Sequence, residues 1–306
     1  MIHSMYQAQK IPRSEFVALR HLRYHVQVWG DPAPGKTPLV MLHGWMDVAA
    51  SYQFVVDALS HDHYVIAPDW RGFGQTASNN ADSFWFPDYL ADLDGLLDHY
   101  APGAPVNLVG HSMGGNVAMV YAGVRPDRIR RLVNLEGFGM PATQPNEAPD
   151  RFAKWMDQVK AMHQGALTPR GYDSAAGVAQ RLMKNNPRLG TDKANWLAPH
   201  WARQDADGQW RIQGEPAHKI VNAQLYRLDE VLEIYRRISA PVLMVEALDD
   251  SMAALWKDKF TLAQHRERLN VVPQVEITQI ENAGHMLHHD QPEVLAALIE
   301  RFLVTD

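Results

Sequence analysis

One stretch of the sequence decides the fold: Val106-Asn107-Leu108-Val109-Gly110-His111-Ser112-Met113-Gly114-Gly115. Its first half is a short apolar run of the kind that forms a buried strand. Its second half fits the pattern G-x-S-x-G, in which a serine occupies a sharp turn between a strand and a helix. Glycine two positions away on each side lets the backbone pass closely without a clash of Cβ atoms. The stretch therefore predicts a strand, a strained turn at Ser112 and a helix that continues through Val124.

Apolar runs typical of strands lie on both sides of this turn. Outside 106–109 they cover residues 16–19, 22–29, 38–42, 64–67, 129–135, 241–245 and 275–280. Segments with a helical spacing of apolar residues lie at 51–59, 86–100, 252–264 and 292–303. Parallel neighbouring strands need a crossover element, and helices supply it. The alternation predicts an α/β fold, with a mostly parallel sheet covered by helices on both faces.

The alternation is interrupted between residues 141 and 238. This segment has helical patterns at 150–163 and 177–185, separated by loops rich in Pro, Asn and Gly. It also carries Trp155, Trp196, Trp201 and Trp210, which supply apolar surface for packing against another part of the chain. We therefore expect a core formed by residues 1–140 and 239–306, and a mostly helical cap formed by residues 141–238.

The bulk composition narrows the class of function. Lys and Arg total 29 against 35 Asp and Glu, which leaves a net charge of -6, and no basic run suited to nucleic acid or an anionic membrane is present. The chain has no cysteine, so disulfides, thiolate metal sites and cysteine nucleophiles are excluded. Residues 1–20 lack the continuous apolar stretch of a signal peptide. We expect a cytoplasmic monomer or homodimer that binds a small-molecule substrate.

Five motifs occur in the order found in one large enzyme family. They are His43-Gly44-Trp45, Asp69-Trp70-Arg71-Gly72-Phe73-Gly74, the turn at Ser112, the segment 241–250 and Ala283-Gly284-His285. In this combination the sequence resembles the α/β-hydrolase superfamily, and within it the cap-bearing branch of esterases, epoxide hydrolases and dehalogenases. The resemblance implies the α/β-hydrolase fold, with a mostly parallel eight-stranded sheet and a helical cap insertion.

The resemblance also implies roles for individual residues. Ser112 would be the nucleophile, and His285, which follows the predicted strand 275–280, would be the base that removes its proton. The backbone amides of Trp45 and Met113 would form the oxyanion hole. Substrate-binding positions are expected at His43, Gly44, Phe73, Phe138 and Trp155.

Two positions compete for the carboxylate that orients the base. Counting from the strand at 241–245, the position usual in the superfamily is Asp250, with Asp249 beside it. However, Ala247 replaces the glycine that is usual at this turn. Glu136 is the competing residue, because some dehalogenases carry their acid after an earlier strand in a similar Glu-x-x-x-Met-Pro context. Asp250 is the preferred assignment and Glu136 the alternative.

A run of His288, His289 and Asp290 follows the predicted base. A metal site needs several ligands at suitable spacing, and the sequence shows no further ligands beside this run. We interpret the run as a solvated loop or helix start. We expect neither a metal ion nor an organic cofactor.

These residues favour acyl transfer to water. Ser112 would attack the carbonyl of a small or medium apolar ester, and water would resolve the acyl-enzyme. Dehalogenases and epoxide hydrolases of this kind need a carboxylate where the chain has Ser112, which argues against both. Two alternatives stay open. One is a cofactor-free dioxygenase or C–C bond hydrolase that uses a dyad of His285 and its acid, and the other is a non-catalytic ligand receptor on the same fold.

Overall fold

The computed structural model describes residues 5–76 and 78–304. Its strands are, in chain order, β1 (Arg13–Leu19), β2 (Leu22–Trp29), β3 (Leu39–Leu42), β4 (Val65–Pro68), β5 (Val106–His111), β6 (Ile129–Leu135), β7 (Gly171–Tyr172), β8 (Ala202–Gln204), β9 (Trp210–Ile212), β10 (Val242–Ala247) and β11 (Val275–Ile280). Its α-helices are α1 (Gln53–Ala58), α2 (Phe86–Tyr100), α3 (Met113–Val124), α4 (Ala148–His163), α5 (Ala175–Asn185), α6 (Thr191–Trp201), α7 (Leu228–Arg236), α8 (Ser251–Trp256), α9 (Leu262–Leu269), α10 (Leu287–Asp290) and α11 (Pro292–Val304).

The main sheet has eight strands in the order β1-β2-β4-β3-β5-β6-β10-β11. The pairs β1/β2 and β2/β4 are antiparallel, and the five pairs from β4 to β11 are parallel. The order departs from the chain order only where β3 and β4 exchange places, and each parallel neighbour is reached through a crossover. The predicted α/β-hydrolase architecture is confirmed, and the carboxyl ends of β3, β5, β6, β10 and β11 meet at one edge of the sheet.

Helices cover both faces of this sheet. Side chains alternate between the faces of a strand, so Val40 and Leu42 of β3 pack with α2 and α3, whereas Leu39 and Met41 pack with α1 and α11. These strand residues are almost fully buried. The continuous apolar runs in the sequence therefore mark strands that are covered on both sides.

The sequence locates most core elements closely and misplaces one. The helix expected at 252–264 is wrong, because the chain there divides into α8, a 3-10 turn at Lys257–Lys259 and α9. Lys257 has a positive φ of 52°, which ends α8. Thr261 then caps α9, because its side chain accepts a hydrogen bond from the amide of Gln264.

The segment between β6 and β10 contains more than helices. Helices α5 and α6 enclose a small core with Val178, Leu182 and Leu197, onto which Phe54 of α1 also packs. Strands β7, β9 and β8 form a separate three-stranded antiparallel sheet, which the helical patterns did not predict. Helix α7 lies against α3 so closely that a Cβ on Gly123 would fall 2.1 Å from the carbonyl oxygen of Ile234.

Among residues 5–76 and 78–304, no helix has both the length and the apolar character required to cross a membrane.

Candidate active site

The turn between β5 and α3 has the strained form that the sequence predicts. Ser112 has φ 50° and ψ -113°, a conformation that L-residues adopt only at a cost. Close packing maintains it, because a Cβ on Gly110 would lie 2.4 Å from the Gly114 carbonyl oxygen, and one on Gly114 would lie 2.2 Å from that of Leu42. The backbone fits only with glycine at both positions, and Ser112 stands at the start of α3.

Ser112, His285 and Glu136 form a continuous hydrogen-bonded chain. The Oγ atom of Ser112 lies 3.0 Å from Nε2 of His285, and Nδ1 of His285 lies 3.2 Å from Oε2 of Glu136. The side chain of His285 is 28% exposed and that of Glu136 is 1% exposed, so the carboxylate lies inside and the imidazole faces the opening. A hydroxyl, an imidazole and a buried carboxylate in this order are the arrangement that activates a serine.

Glu136 is held rigidly behind the imidazole. The backbone of Glu136 has a φ of 58°. Asn134 fixes the adjacent turn, because its side chain accepts a hydrogen bond from the Gly137 amide and donates one to the Gly137 carbonyl oxygen, each at 2.9 Å. The second carboxylate oxygen of Glu136, Oε1, accepts a hydrogen bond from the amide of Ala247 at 2.7 Å. The carboxylate therefore joins the ends of β6 and β10.

The assignment of the acid to Asp250 is not what the structure shows. Asp250 is exposed and caps α8, where its Oδ1 accepts a hydrogen bond from the Ala253 amide. Asp249 is also exposed and pairs with Arg188 at 2.7 Å. The reason is the conformation at Ala247, where the superfamily usually has a glycine turn. Here β10 continues through Ala247, and the amide of Ala247 donates a hydrogen bond to Glu136.

The predicted oxyanion hole lies beside Ser112. A Cβ on Gly44 would be 3.2 Å from Cβ of Ser112, so the chain before Trp45 passes directly next to Ser112. Met113 is the first residue of α3, where the amide has no partner within the helix. The roles of the Trp45 and Met113 amides stay predictions, and the geometry is compatible with both.

Two predicted substrate contacts are wrong because the side chains are enclosed. His43 is fully buried, with Nδ1 donating to the Gly44 carbonyl oxygen and Nε2 accepting from the Trp70 amide. Phe73 is 1% exposed and stacks on His218 at 3.7 Å between ring centroids. Both side chains support the site from behind.

The other predicted contacts differ in position. Gly44 adjoins the nucleophile, as described. Phe138 is also wrong as a substrate contact, because its side chain is buried and packs edge-on against His265, with 5.1 Å between ring centroids. Trp155 is half-buried on α4, and its role in binding stays a prediction.

The motif at residues 69–74 fixes the loop next to the nucleophile, as expected. The carboxylate of Asp69 accepts hydrogen bonds from the amides of Ala49 and Gln75 and contacts His25. Arg71 forms a buried pair with Asp92 through two nitrogens, at 2.6 and 2.7 Å. Paired and hydrogen-bonded charges of this kind are tolerated inside a protein.

A second cluster of polar side chains lies behind Ser112, and the sequence analysis did not predict it. His111 donates from Nε2 to the carbonyl oxygen of His285 at 2.7 Å, and burial holds the pKa of His111 well below its ordinary value. Asp47 and His288 lie next to it. The prediction that His288 and His289 are solvated is wrong, since both are buried in α10. The available signal was that Asp47 and His288 lie in the segments that follow β3 and β11, and both segments leave the sheet at the same edge as Ser112.

A comparison with known families bears on this site. The family of the α/β hydrolase fold matches residues 37–292. This chain belongs to the α/β-hydrolase fold family. The matched region contains Ser112, Glu136 and His285, so the site lies within the family's own fold and not in an added segment.

Individual relatives carry the names of different reactions on this fold. The chain is 27% identical over 292 residues to the "Serine hydrolase-like protein" of Danio rerio, covering 90% of this chain and 84% of that protein. It is 26% identical over 275 residues to the "Cis-3-alkyl-4-alkyloxetan-2-one decarboxylase" of Shewanella oneidensis, covering 87% and 81%. Among solved structures, the thioesterase domain from the curacin biosynthetic pathway has a TM-score of 0.80 at 23% identity, covering 94% and 99% of the two chains, which is a similarity of fold.

Proposed function

We propose that this α/β hydrolase is a serine esterase that cleaves small or medium apolar esters through an acyl-enzyme on Ser112. The observation that carries the proposal is the single chain of contacts from Ser112 Oγ through His285 to Glu136. A serine alone is a poor nucleophile at neutral pH. Here the base lies within hydrogen-bond distance and is oriented by a buried carboxylate.

The reaction follows from these positions. His285 Nε2 takes the proton of Ser112 as Oγ attacks the ester carbonyl, and the imidazolium then donates that proton to the departing alkoxide as the C–O bond breaks. A water molecule then attacks the acyl-enzyme as the same nitrogen takes its proton, and the imidazolium returns that proton to Ser112 Oγ as the acyl–Oγ bond breaks and the acid leaves. The amides of Trp45 and Met113 would hold the negative oxygen in both steps.

The surroundings support an apolar substrate. Trp45 is 51% exposed beside the nucleophile, and its indole nitrogen donates to the His218 carbonyl oxygen at 3.2 Å, which fixes the ring. Helix α4 packs on the turn that contains His218 and carries the exposed apolar side chains Phe152 and Met156. Exposed apolar side chains on a helix that packs against this turn are candidates for a substrate-binding surface. The relative from Shewanella oneidensis is named for an oxetan-2-one, a cyclic ester, so a β-lactone belongs in the substrate panel.

The experiment is labelling with a fluorophosphonate probe, followed by hydrolysis of p-nitrophenyl esters of increasing chain length. Ser112→Ala should abolish both labelling and the burst of p-nitrophenol. Ser14→Ala is the matched control, because Ser14 Oγ also lies 2.8 Å from a histidine, His25, whose Nδ1 is 2.7 Å from Asp69. Ser14 lies on the edge strand β1, away from any helix start, so its replacement should change neither readout.

The alternatives give different results. Equal labelling of wild type and Ser112→Ala would refute the proposal. Consumption of oxygen by wild type and Ser112→Ala alike, without ester turnover, would indicate the dioxygenase. Binding of an ester analogue without turnover by the wild type would indicate a receptor.

A further inference from the structure

Asp47, His111 and His288 converge in the interior directly behind the nucleophile. They are 3%, 2% and 0% exposed, and their potential ligand atoms all lie within 4.8 Å of one another. Oδ2 of Asp47 is 3.6 Å from Nε2 of His288, and the rings of His111 and His288 are 4.3 Å apart. A Cβ on Gly44 would lie 2.9 Å from Nδ1 of His111, so this nitrogen and Ser112 flank the same glycine.

The ligand atoms of this group are incompletely satisfied. Oδ2 of Asp47 and Nε2 of His288 contact each other at 3.6 Å, which is longer than a hydrogen bond, and Nδ1 of His111 has no hydrogen-bond partner among the described residues. Buried polar atoms are nearly always hydrogen-bonded, because an unsatisfied one costs about 1–3 kcal/mol. Three such atoms within 4.8 Å of one another indicate a site suited to a ligand. The proposed mechanism uses none of them.

Hydrogen bonds to the surrounding chain direct the remaining ligand atoms of this group toward one another. His111 donates through Nε2 to the His285 carbonyl oxygen, which leaves the lone pair of Nδ1 directed inward. Oδ1 of Asp47 accepts hydrogen bonds from the Val48 amide and the Ser51 hydroxyl, which leaves Oδ2 for the centre. Metal-binding histidines typically donate their other N–H to a carbonyl or carboxylate in this way.

We propose that Asp47, His111 and His288 form a binding site for a divalent transition-metal ion, with Zn²⁺ as the best match. Two imidazoles and one carboxylate are preferred Zn²⁺ ligands. Ligand atoms around tetrahedral Zn²⁺ are roughly 3.4 Å apart, which the Asp47–His288 pair already approaches. The dication would also balance a buried carboxylate whose close charged neighbours, among the described residues, are histidines.

The test compares retained metal in purified variants. Because the site is buried, the protein is produced in medium supplemented with Zn²⁺, passed through chelator-treated buffer, and analysed by mass spectrometry for metal content. We expect about one retained ion per chain for the wild type, and at least a tenfold loss for His288→Gln and for Asp47→Asn. His63→Gln is the matched control, because His61, His63 and Glu300 form a second cluster at the surface. It should retain the buried ion.

One further readout needs no assumption about folding of the variants. Crystals of the wild type grown with Zn²⁺ should show anomalous density between Asp47, His111 and His288 at the zinc edge.

The outcomes separate the hypotheses. Loss of the ion in His63→Gln with retention in His288→Gln, or normal density for a water molecule without anomalous signal, would overturn the inference. Retained metal at the buried group in a protein that hydrolyses no ester would support the site and refute the proposed function instead.

Discussion

Replacing Glu136 by glutamine should inactivate the enzyme although the change in shape is minimal. The amide of Ala247 donates a hydrogen bond to Oε1 of Glu136, so a glutamine would turn its carbonyl oxygen toward that amide. Its NH₂ group would then face Nδ1 of His285. Because two donors cannot pair, Nδ1 would have to lose its proton and accept, which moves the proton of the neutral ring to Nε2.

This tautomer cannot serve as the base. With a proton on Nε2, His285 no longer accepts the hydrogen bond of Ser112, whose Oγ is 3.0 Å away. Replacing the acid of a serine triad by its amide lowers kcat by about 10⁴-fold for this reason. We expect a loss of the same order in kcat for Glu136→Gln, with little change in KM.

The matched control is Asp250→Asn, at the position that the sequence favoured. Asparagine caps a helix about as well as aspartate, so α8 should persist and kcat should change less than threefold. Steady-state kinetics with one p-nitrophenyl ester, and the rate of fluorophosphonate labelling, measure both variants. A loss above a hundredfold in Asp250→Asn, or one below tenfold in a folded Glu136→Gln, would refute the reasoning.

Three other changes test the packing and the electrostatics around the site. Gly114→Ala should lower the free energy of unfolding by about 1–3 kcal/mol, because its Cβ would strike the Leu42 carbonyl oxygen at 2.2 Å. Gly177→Ala in α5, where the nearest atom is 3.6 Å away, should raise it by about 0.5–1 kcal/mol; equal effects in urea denaturation would contradict this account. Asn134→Ala leaves the Gly137 amide and carbonyl unpaired, so we expect a loss of about 2–4 kcal/mol and a slower enzyme; unchanged kcat would show that Glu136 holds its conformation without this support. Burial favours the neutral form of Glu300, but hydrogen bonds from Ser60 and His61 outweigh it and lower the pKa of Glu300 to about 2. Ionisation of Glu300 therefore stabilises the fold above about pH 5, by about 1–2 kcal/mol because solvent screens part of the interaction, and this contribution is lost as the pH falls toward 2. A thermal-unfolding difference between wild type and Glu300→Gln that persists at about pH 2 would contradict it.

Local patterns were sufficient for the elements that carry Ser112 and His285. The strand, turn and helix around Ser112 depend on neighbouring residues, because apolar runs and glycine spacing are properties of one short segment. The base was found for a similar reason, since His285 follows β11 after the small pair Ala283-Gly284. The helix at 252–264 was misplaced because its interruption depends on one positive φ and one side-chain cap, at Lys257 and Thr261.

The remaining features of the site depend on contacts between residues that are far apart in the sequence. Glu136 and Asp250 both follow strands that end near His285, so the sequence could name both but not choose between them. The choice is made where β6 and β10 pair side by side, which brings the Ala247 amide to Glu136 and directs Asp250 to the surface. The same holds for the buried group of Asp47, His111 and His288. These residues come together only because the segments at the carboxyl ends of β3, β5 and β11 lie at one edge of the sheet. The sequence by itself therefore determined the fold and the positions of Ser112 and His285, since each depends on short contiguous segments. The acid and the buried polar group were decided by tertiary structure, because hydrogen bonds between distant strand ends leave no periodic signal in the chain.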